Sequence, residues 1–398
     1  MLYLVLGCGP DSMGPAIAAR LLRETDSVVF IADQNPEYEL ATANKLKTCP
    51  TGHRSALVLA NVRGDGLDVV KRKDDLPIFF RNKDIVISAL PAHLNPIAIE
   101  AILKTNESRL PPHRLGKTHY CDLGGVLGIT KKIIFGDMAR RAESYGISLV
   151  PDCGLEPGLG NIMAISLLEN FDLSQPLESL IIYVGGLPEK FYKKLFNLKG
   201  LEEIYYNWPF VLSRGKPRTI MPRSHYETIP TSDFDLFFGE KERSVKFEAA
   251  VTGGLGALPY YLKNHVLKLQ EKTLRWPGHY DIIKKIKREN FIEEFEKLLN
   301  TYPHKQKDFS ILRVVAIGKA KTTGKRTKIE CFMYVESDNT WNSMQKSTGF
   351  TTAVLAKLIA EGKATVGAYP PEITMNPKLV LDALKKDFPI YERQTPPC

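Results

Sequence analysis

Short apolar runs alternate with helical patterns through the first 125 residues, and that alternation predicts a parallel α/β domain. Strands are expected at Leu2–Leu6, Val28–Ala32, Ala56–Leu59, Ile85–Ala89 and near His119–Cys121, with helices from Met13, over Tyr38–Leu46 and after Pro96. This order suits an open, doubly wound sheet that binds its ligand at the carboxyl edge. From about Gly125 the pattern changes. A helix through Met138–Ser144 and a strand at Ser148–Pro151 precede the turn Asp152–Gly158, which opens a helix through Ile162–Leu168. Runs at Leu180–Val184, Val245–Ala250, Ile311–Ile317 and Lys328–Val335 are β-branched or aromatic and predict a sheet covered by helices, with a hairpin tip at Lys319–Lys325. A helical pattern returns from about Ser347, over Thr351–Ala360 and then Pro377–Lys386. The expected chain is therefore α/β. Residues 1–125 form a doubly wound parallel sheet, completed by a C-terminal segment, 347–398, that packs back on it; residues 126–346 form a central α+β domain for substrate binding and dimerisation.

Composition narrows the function classes. With 398 residues, 43% hydrophobic and 25% charged, the chain can bury the cores of two or three domains. Its longest apolar runs, Ile85–Leu90 and Ile311–Ile317, are far shorter than the roughly 20 residues of a membrane helix. Met1–Leu6 runs into glycines without a basic flank or cleavage site, so a cytoplasmic location is expected, with no membrane partner. The net charge of +9 is spread along the chain and interleaved with acids, and the densest run, Lys284–Arg288, reads as a solvated helix face; no nucleic-acid partner is expected. Six separated cysteines show neither disulfide nor zinc spacing, so no metal is expected. Cys8 and Cys153 lie among glycines, either as nucleophiles or as small buried fillers; no neighbouring His activates them.

The first chemical motif is Leu4-Val5-Leu6-Gly7-Cys8-Gly9-Pro10-Asp11-Ser12-Met13-Gly14, a strand feeding a glycine turn and an Ala-rich helix. Such a turn offers backbone N–H groups and a helix N-terminus to a pyrophosphate. Four residues separate Gly9 from Gly14, two more than in G-x-G-x-x-G. The second strand ends at Asp33, where a carboxylate takes the adenosine ribose hydroxyls of NAD, and Gln34-Asn35-Pro36 brings no Arg for a 2′-phosphate. NAD is thus expected over NADP in a Rossmann-type domain, held by Gly7, Gly9, Met13, Gly14 and Asp33, with Ala89, Leu90 and Pro91 on the nicotinamide side. His93, in the same loop, is a minor acid-base candidate.

Tyr120-Cys121-Asp122-Leu123-Gly124-Gly125, Pro151-Asp152-Cys153-Gly154-Leu155-Glu156-Pro157-Gly158-Leu159-Gly160-Asn161, Val184-Gly185-Gly186-Leu187-Pro188 and Lys272-Thr273-Leu274-Arg275-Trp276-Pro277-Gly278-His279 occur in this order. Together they resemble the blocks of the saccharopine dehydrogenase-like family, and within it the lysine 6-dehydrogenase group. The resemblance implies a dimeric NAD(P)-linked oxidoreductase of amino-acid metabolism that acts on a C–N bond of an amino acid or polyamine held between the two domains. The leading expectation is oxidative deamination of the lysine ω-amine to a semialdehyde. The alternatives are a reductase that forms a secondary amine, of saccharopine or carboxynorspermidine type, and a non-catalytic NAD-binding protein of the same fold.

Oxidising a carbon that bears an amine requires removal of a proton from the ammonium and later activation of water. Asp122, at a strand's carboxyl end, is the first candidate for the amine contact. Asp152 and Glu156 come next, unless they cap the following helix. Arg275 is a candidate clamp for a substrate carboxylate and His279 a donor or proton shuttle; the alternatives are a surface ion pair and packing at a helix end. Trp208 either walls an aliphatic stem or belongs to a core or dimer interface, Asn161 either binds substrate or caps its helix, and Thr252-Gly253-Gly254 either lines the cleft or makes a turn.

Overall fold

The computed structural model describes residues 1–60, 66–107, 116–189, 194–195, 197–238, 246–302 and 306–395. Its strands are, in chain order, β1 (Leu2–Leu6), β2 (Val28–Ala32), β3 (Ala56–Leu59), β4 (Ile85–Ser88), β5 (His119–Asp122), β6 (Ser148–Val150), β7 (Ser179–Pro188), β8 (Phe210–Ser213), β9 (Lys216–Thr219), β10 (Glu227–Pro230), β11 (Lys246–Val251), β12 (Lys268–Arg275), β13 (Asp308–Lys319), β14 (Arg326–Glu336), β15 (Gly367–Ala368) and β16 (Ile390–Thr395). The chain divides into two compact units, Met1–Gly158 with Gln345–Ala383, and Leu159–Met344 with Leu384–Cys398.

The first unit is built on a seven-stranded sheet in the order β15-β6-β5-β4-β1-β2-β3, all parallel. Its core strands are apolar on both faces, as a sheet covered by helices requires: Leu4, Val5, Ile31, Val86 and Ile87 are buried. The order 3-2-1-4-5-6 within it is that of the dinucleotide-binding doubly wound fold, and β1 and β4 flank its switch point. This unit extends past the division expected at residue 125, because β6 pairs with β5 and carries the chain to Gly158. Gln345–Ala383 belong to this unit, and β15 extends the sheet beside β6.

The last fifteen residues behave differently. They belong to the second unit, where β16 pairs antiparallel with β14 and Arg393 reaches Glu330 at 3.2 Å. The nine-stranded sheet of this unit runs β10-β11-β12-β7-β13-β14-β16, with β8 beside β12 and β9 beside β8; only the β12–β7 pair is parallel. The strands predicted at Leu180, Ile311 and Lys328 lie within β7, β13 and β14, and the Lys319–Lys325 tip joins the last two. Val245, where another strand was expected to begin, lies outside the described residues; that strand runs from Lys246 as β11. Phe234, Phe247, Phe309 and Phe332 form one apolar layer. A second layer packs Tyr205, Tyr280, Phe291 and Phe295 from the helices Leu198–Tyr206, His279–Lys285 and Phe291–Leu299. Glu330 is fully buried but takes two bonds from Arg313, at 2.9 and 2.7 Å; burial alone would raise its carboxyl, yet Arg313 and Lys328 hold it below its usual range. No described helix is long and apolar enough to cross a membrane.

The helix Gly14–Leu21 starts against the end of β1, where a Cβ on Gly14 would lie inside contact distance of the Gly7 carbonyl oxygen. Gly14→Ala is therefore expected to lower stability by about 1–3 kcal/mol, the usual cost of forcing an extra carbon into a packed interior. A denaturant midpoint equal to that of the wild type would show that this contact is not tight.

Candidate functional site

The carboxyl ends of β1, β2, β4, β5 and β6 place Gly7, Asp33, Ala89, Asp122 and Asp152 along one edge of the first sheet, since parallel strands end on the same side. At the switch point, backbone packs against backbone. A Cβ on Gly7, whose φ is +80°, would lie 2.7 Å from the Ala89 carbonyl oxygen. On the other side of the turn, a Cβ on Gly9 would meet the Tyr38 ring at 3.4 Å and Asp33 Oδ2 at 3.8 Å.

The longer glycine turn is held by its own residues. Ser12 Oγ donates to the carbonyls of Gly7 and Gly9 at 2.6 and 2.7 Å, and Gln345 Nε2 donates to those of Pro10 and Ser12 at 3.3 and 2.9 Å. Met13 is the residue before the helix and gives no side-chain cap. Asp33 Oδ1 accepts from the Asn35 amide at 3.0 Å. Burial raises the Asp33 carboxyl above its ordinary value, against the pull of the Asn35, Gly9 and Cys8 amides. Before Ala89, Ser88 Oγ donates to Asn95 Oδ1 at 2.8 Å, which fixes the start of the Ala89-Leu90-Pro91 loop; His93, in the short 3-10 helix Ala92–Leu94 that follows the loop, is exposed. A cradle closed to side chains, an open carboxylate edge and a helix start without a side-chain cap fit a dinucleotide.

At the other end of this edge, Asp122 and Asp152 are both buried. Asp122 Oδ1 accepts the amides of Gly124 at 2.7 Å and Asp152 at 3.3 Å, while Asp152 Oδ1 accepts Thr130 Oγ1 at 2.9 Å. The Oδ2 atom of each has no hydrogen-bond partner of normal geometry among the described residues. Burial pushes the Asp122 carboxyl to about 6; burial and the neighbouring Asp122 charge push Asp152 to about 7. Asp152 adopts a left-handed backbone, φ +65°, that turns the chain away from β6; it does not cap the helix Leu159–Leu168. Glu156 is half-buried in the same turn. Cys8 and Cys153 are buried, and burial raises both thiols; they have the environment of packed fillers.

The remaining candidates belong to the second unit. Arg275 is the last residue of β12. Its Nε donates to Tyr205 Oη at 2.6 Å and its Nη1 to the Leu274 carbonyl at 2.8 Å. Tyr205 Oη lies 2.7 Å from His279 Nε2. The Tyr205 oxygen thus links Arg275 to the imidazole, with the donor between Tyr205 and His279 set by the His279 tautomer. Burial, reinforced by the Arg275 charge, holds His279 well below its usual pKa. Arg275, read from the sequence as either a carboxylate clamp or a partner in a surface ion pair, lies in this buried chain, and burial keeps His279 neutral in it. Thr252 Oγ1 bonds Glu271 Oε2 at 2.5 Å and Thr273 Oγ1 at 2.6 Å. Asn161 Nδ2 donates to the Leu255 carbonyl at 3.2 Å, tying its helix to the loop after β11. Trp208 is 62% exposed, so it is not a core residue of its unit. Sequence reasoning missed Tyr205, Glu271 and Gln345; nothing local in their segments marks them. No group of three or more acidic, His or Cys side chains among the described residues is arranged to hold a metal ion.

Residues 154–388 match the family model of the saccharopine dehydrogenase C-terminal domain, more than half of the chain. The chain belongs to this family. The resemblance carried by the later sequence blocks is thus borne out at family level. Alpha-aminoadipic semialdehyde synthase, mitochondrial, of Rattus norvegicus is 26% identical over 121 residues, 30% of this chain and 11% of that protein. The Mus musculus protein of the same name is 27% identical over 129 residues, 32% of this chain and 12% of that protein. The chain therefore matches only a small part of these longer relatives. Apo histidine-tagged saccharopine dehydrogenase (L-Glu forming) from Saccharomyces cerevisiae superposes over 99% of both chains with a TM-score of 0.68 at 16% identity, so the fold is shared.

The raised carboxyls give a pH signature. Unfolded, Asp152 ionises near 4, whereas folded it holds its proton to about 7, so its contribution makes the folded chain less stable as pH rises through that window. Asp152→Asn should match wild-type stability below pH 4 and exceed it by about 2–4 kcal/mol near pH 8. Parallel stability profiles for the two proteins from pH 4 to 8 would contradict this.

Proposed function

We propose that this chain is an NAD-dependent oxidoreductase that acts on the carbon bearing the ω-nitrogen of a lysine-like amino acid and yields a semialdehyde. The observation that carries the reading is the single sheet edge that holds both a dinucleotide cradle, Gly7 to Gly14 with Asp33, and the proton-accepting pair Asp122 and Asp152. A nicotinamide dinucleotide bound there would supply the hydride acceptor. Asp33, followed by Gln34-Asn35-Pro36 with no Arg among them, favours NAD over its 2′-phosphorylated form.

The pair's chemistry follows from its partners. Each carboxylate has one oxygen in hydrogen bonds of normal geometry and an Oδ2 without one among the described residues, with the Tyr120 phenol beside Asp122 and the Gly125 amide beside Asp152 favouring the charged forms. Asp122 would take the proton that the substrate ammonium must lose before hydride leaves carbon, because a protonated nitrogen has no lone pair to stabilise the forming iminium. Asp152 would take a proton from water as it adds to the iminium carbon and return one to the nitrogen. Loss of the C–N bond then releases the amine and leaves the aldehyde. The two groups titrate as a coupled pair, so activity should rise as pH passes through about 6 to 7.

The released amine is ammonia if the substrate is free lysine and an amino acid if the nitrogen is substituted. The family description and the saccharopine dehydrogenase fold favour keeping the substituted substrate in view. The test is NADH formation by the purified chain with L-lysine, ornithine, diamines and saccharopine, repeated with NADP. Turnover with lysine or saccharopine is expected, with Asp122→Asn losing at least about 100-fold, the scale of a general base, while NADH affinity stays within about twofold. Full turnover in Asp122→Asn would remove that residue from the mechanism. No turnover with any amine would contradict the proposed reaction.

A further inference from the structure

The helix that follows β2, Pro36–Leu46, carries two buried polar side chains, Glu39 and Thr42, one turn apart on its inner face. Glu39 Oε1 accepts the backbone N–H of Asp33 at 2.9 Å, and Thr42 Oγ1 donates to the carbonyl of Cys8 at 2.7 Å. The two bonds thus reach the two segments that frame the adenosine half of the proposed cofactor site: the end of β2 and the first glycine turn. Between them lies Gly9, with the Asp33 carboxylate and the Tyr38 ring beside it.

An apolar side chain could fill the volume that either occupies. Glu39 makes no ion pair with a Lys or Arg among the described residues, and burial with the nearby Asp33 charge raises its carboxyl to about 7. A Met or Leu would occupy the same space without that desolvation cost. The glycine turn, with two residues more than the usual spacing, has more backbone freedom to remove, and the Thr42 bond removes part of it at Cys8.

We propose that Glu39 and Thr42 are positioning residues that act through Asp33 and the Cys8 carbonyl to set the adenosine-ribose contact, and hence the preference for NAD over its 2′-phosphorylated form. The inference rests on the dinucleotide reading of this edge. Glu39→Met would free the Asp33 backbone, whereas Glu39→Gln keeps an acceptor oxygen for the same N–H. Thr42→Val keeps the shape and loses the donor.

The experiment is a calorimetric binding series for NADH and NADPH on the full chain, with thermal melts to establish that each variant is folded. Glu39→Met and Thr42→Val should each weaken NADH by about 5- to 10-fold, the loss expected for one hydrogen bond, and Glu39→Met should narrow the NADH-to-NADPH ratio. Glu39→Gln should restore wild-type affinity and ratio. In an Asp33→Ala background, Glu39→Met should add less than about twofold, since coupled residues are not additive. Equal affinities in wild type, Glu39→Met and Thr42→Val, or an additive loss for Glu39→Met in the Asp33→Ala background, overturn the inference while leaving dinucleotide binding intact. A folded wild-type chain that binds neither dinucleotide overturns both. If Glu39→Met does not fold, the Thr42→Val affinity and the Glu39→Gln ratio still decide.

Discussion

The close approach of backbones at the switch point constrains the first unit more than any single side chain does. Gly7 must reach the Ala89 carbonyl and Gly14 must reach Gly7, so the ends of β1 and β4 and the start of the first helix converge with no room for a Cβ. That convergence exposes the turn between them to a ligand, while the parallel sheet brings Asp33, Asp122 and Asp152 to the same edge. Ser12 and Gln345 hold the extra turn residues that this packing leaves outside the sheet.

Buried carboxyls recur in both units and are handled in different ways. Glu330 is paired with Arg313, which keeps it ionised and joins β13 and β14 to the short helix that carries Asp233. Glu271 takes Thr252, Thr273 and the Gly254 amide instead, and burial raises it. Asp122, Asp152 and Glu39 lack a cationic partner among the described residues and are all raised by burial. Charges arranged to be reluctant are costly to keep unless they work, and all three lie along the edge or behind it.

Much of the first unit was legible because its strands are short apolar runs that end in glycine or aspartate, and the strand ends Asp33 and Asp122 could be placed from pattern alone. The unit boundary was not, because β6 is only three residues long and its pairing with β5 leaves no local trace. β12 escaped the alternation rule: Gln270, Glu271, Lys272, Thr273 and Arg275 are all buried, on both faces of the sheet, so its polar composition hides a core strand. β16 is an edge strand of polar residues and read as the tail after a helix. The link from Arg275 to His279 runs through Tyr205, distant in sequence from both, so their spacing suggested a shared role but not its form.

The most direct test of the central claim is hydrogen exchange of the full chain with and without NADH. The proposed function predicts added protection over residues 7–14, 33–39 and 89–95, the segments proposed to meet pyrophosphate, ribose and nicotinamide along one sheet edge. Unchanged exchange in all three under saturating NADH, or protection confined to the amino-terminal ends of the same strands, would contradict it.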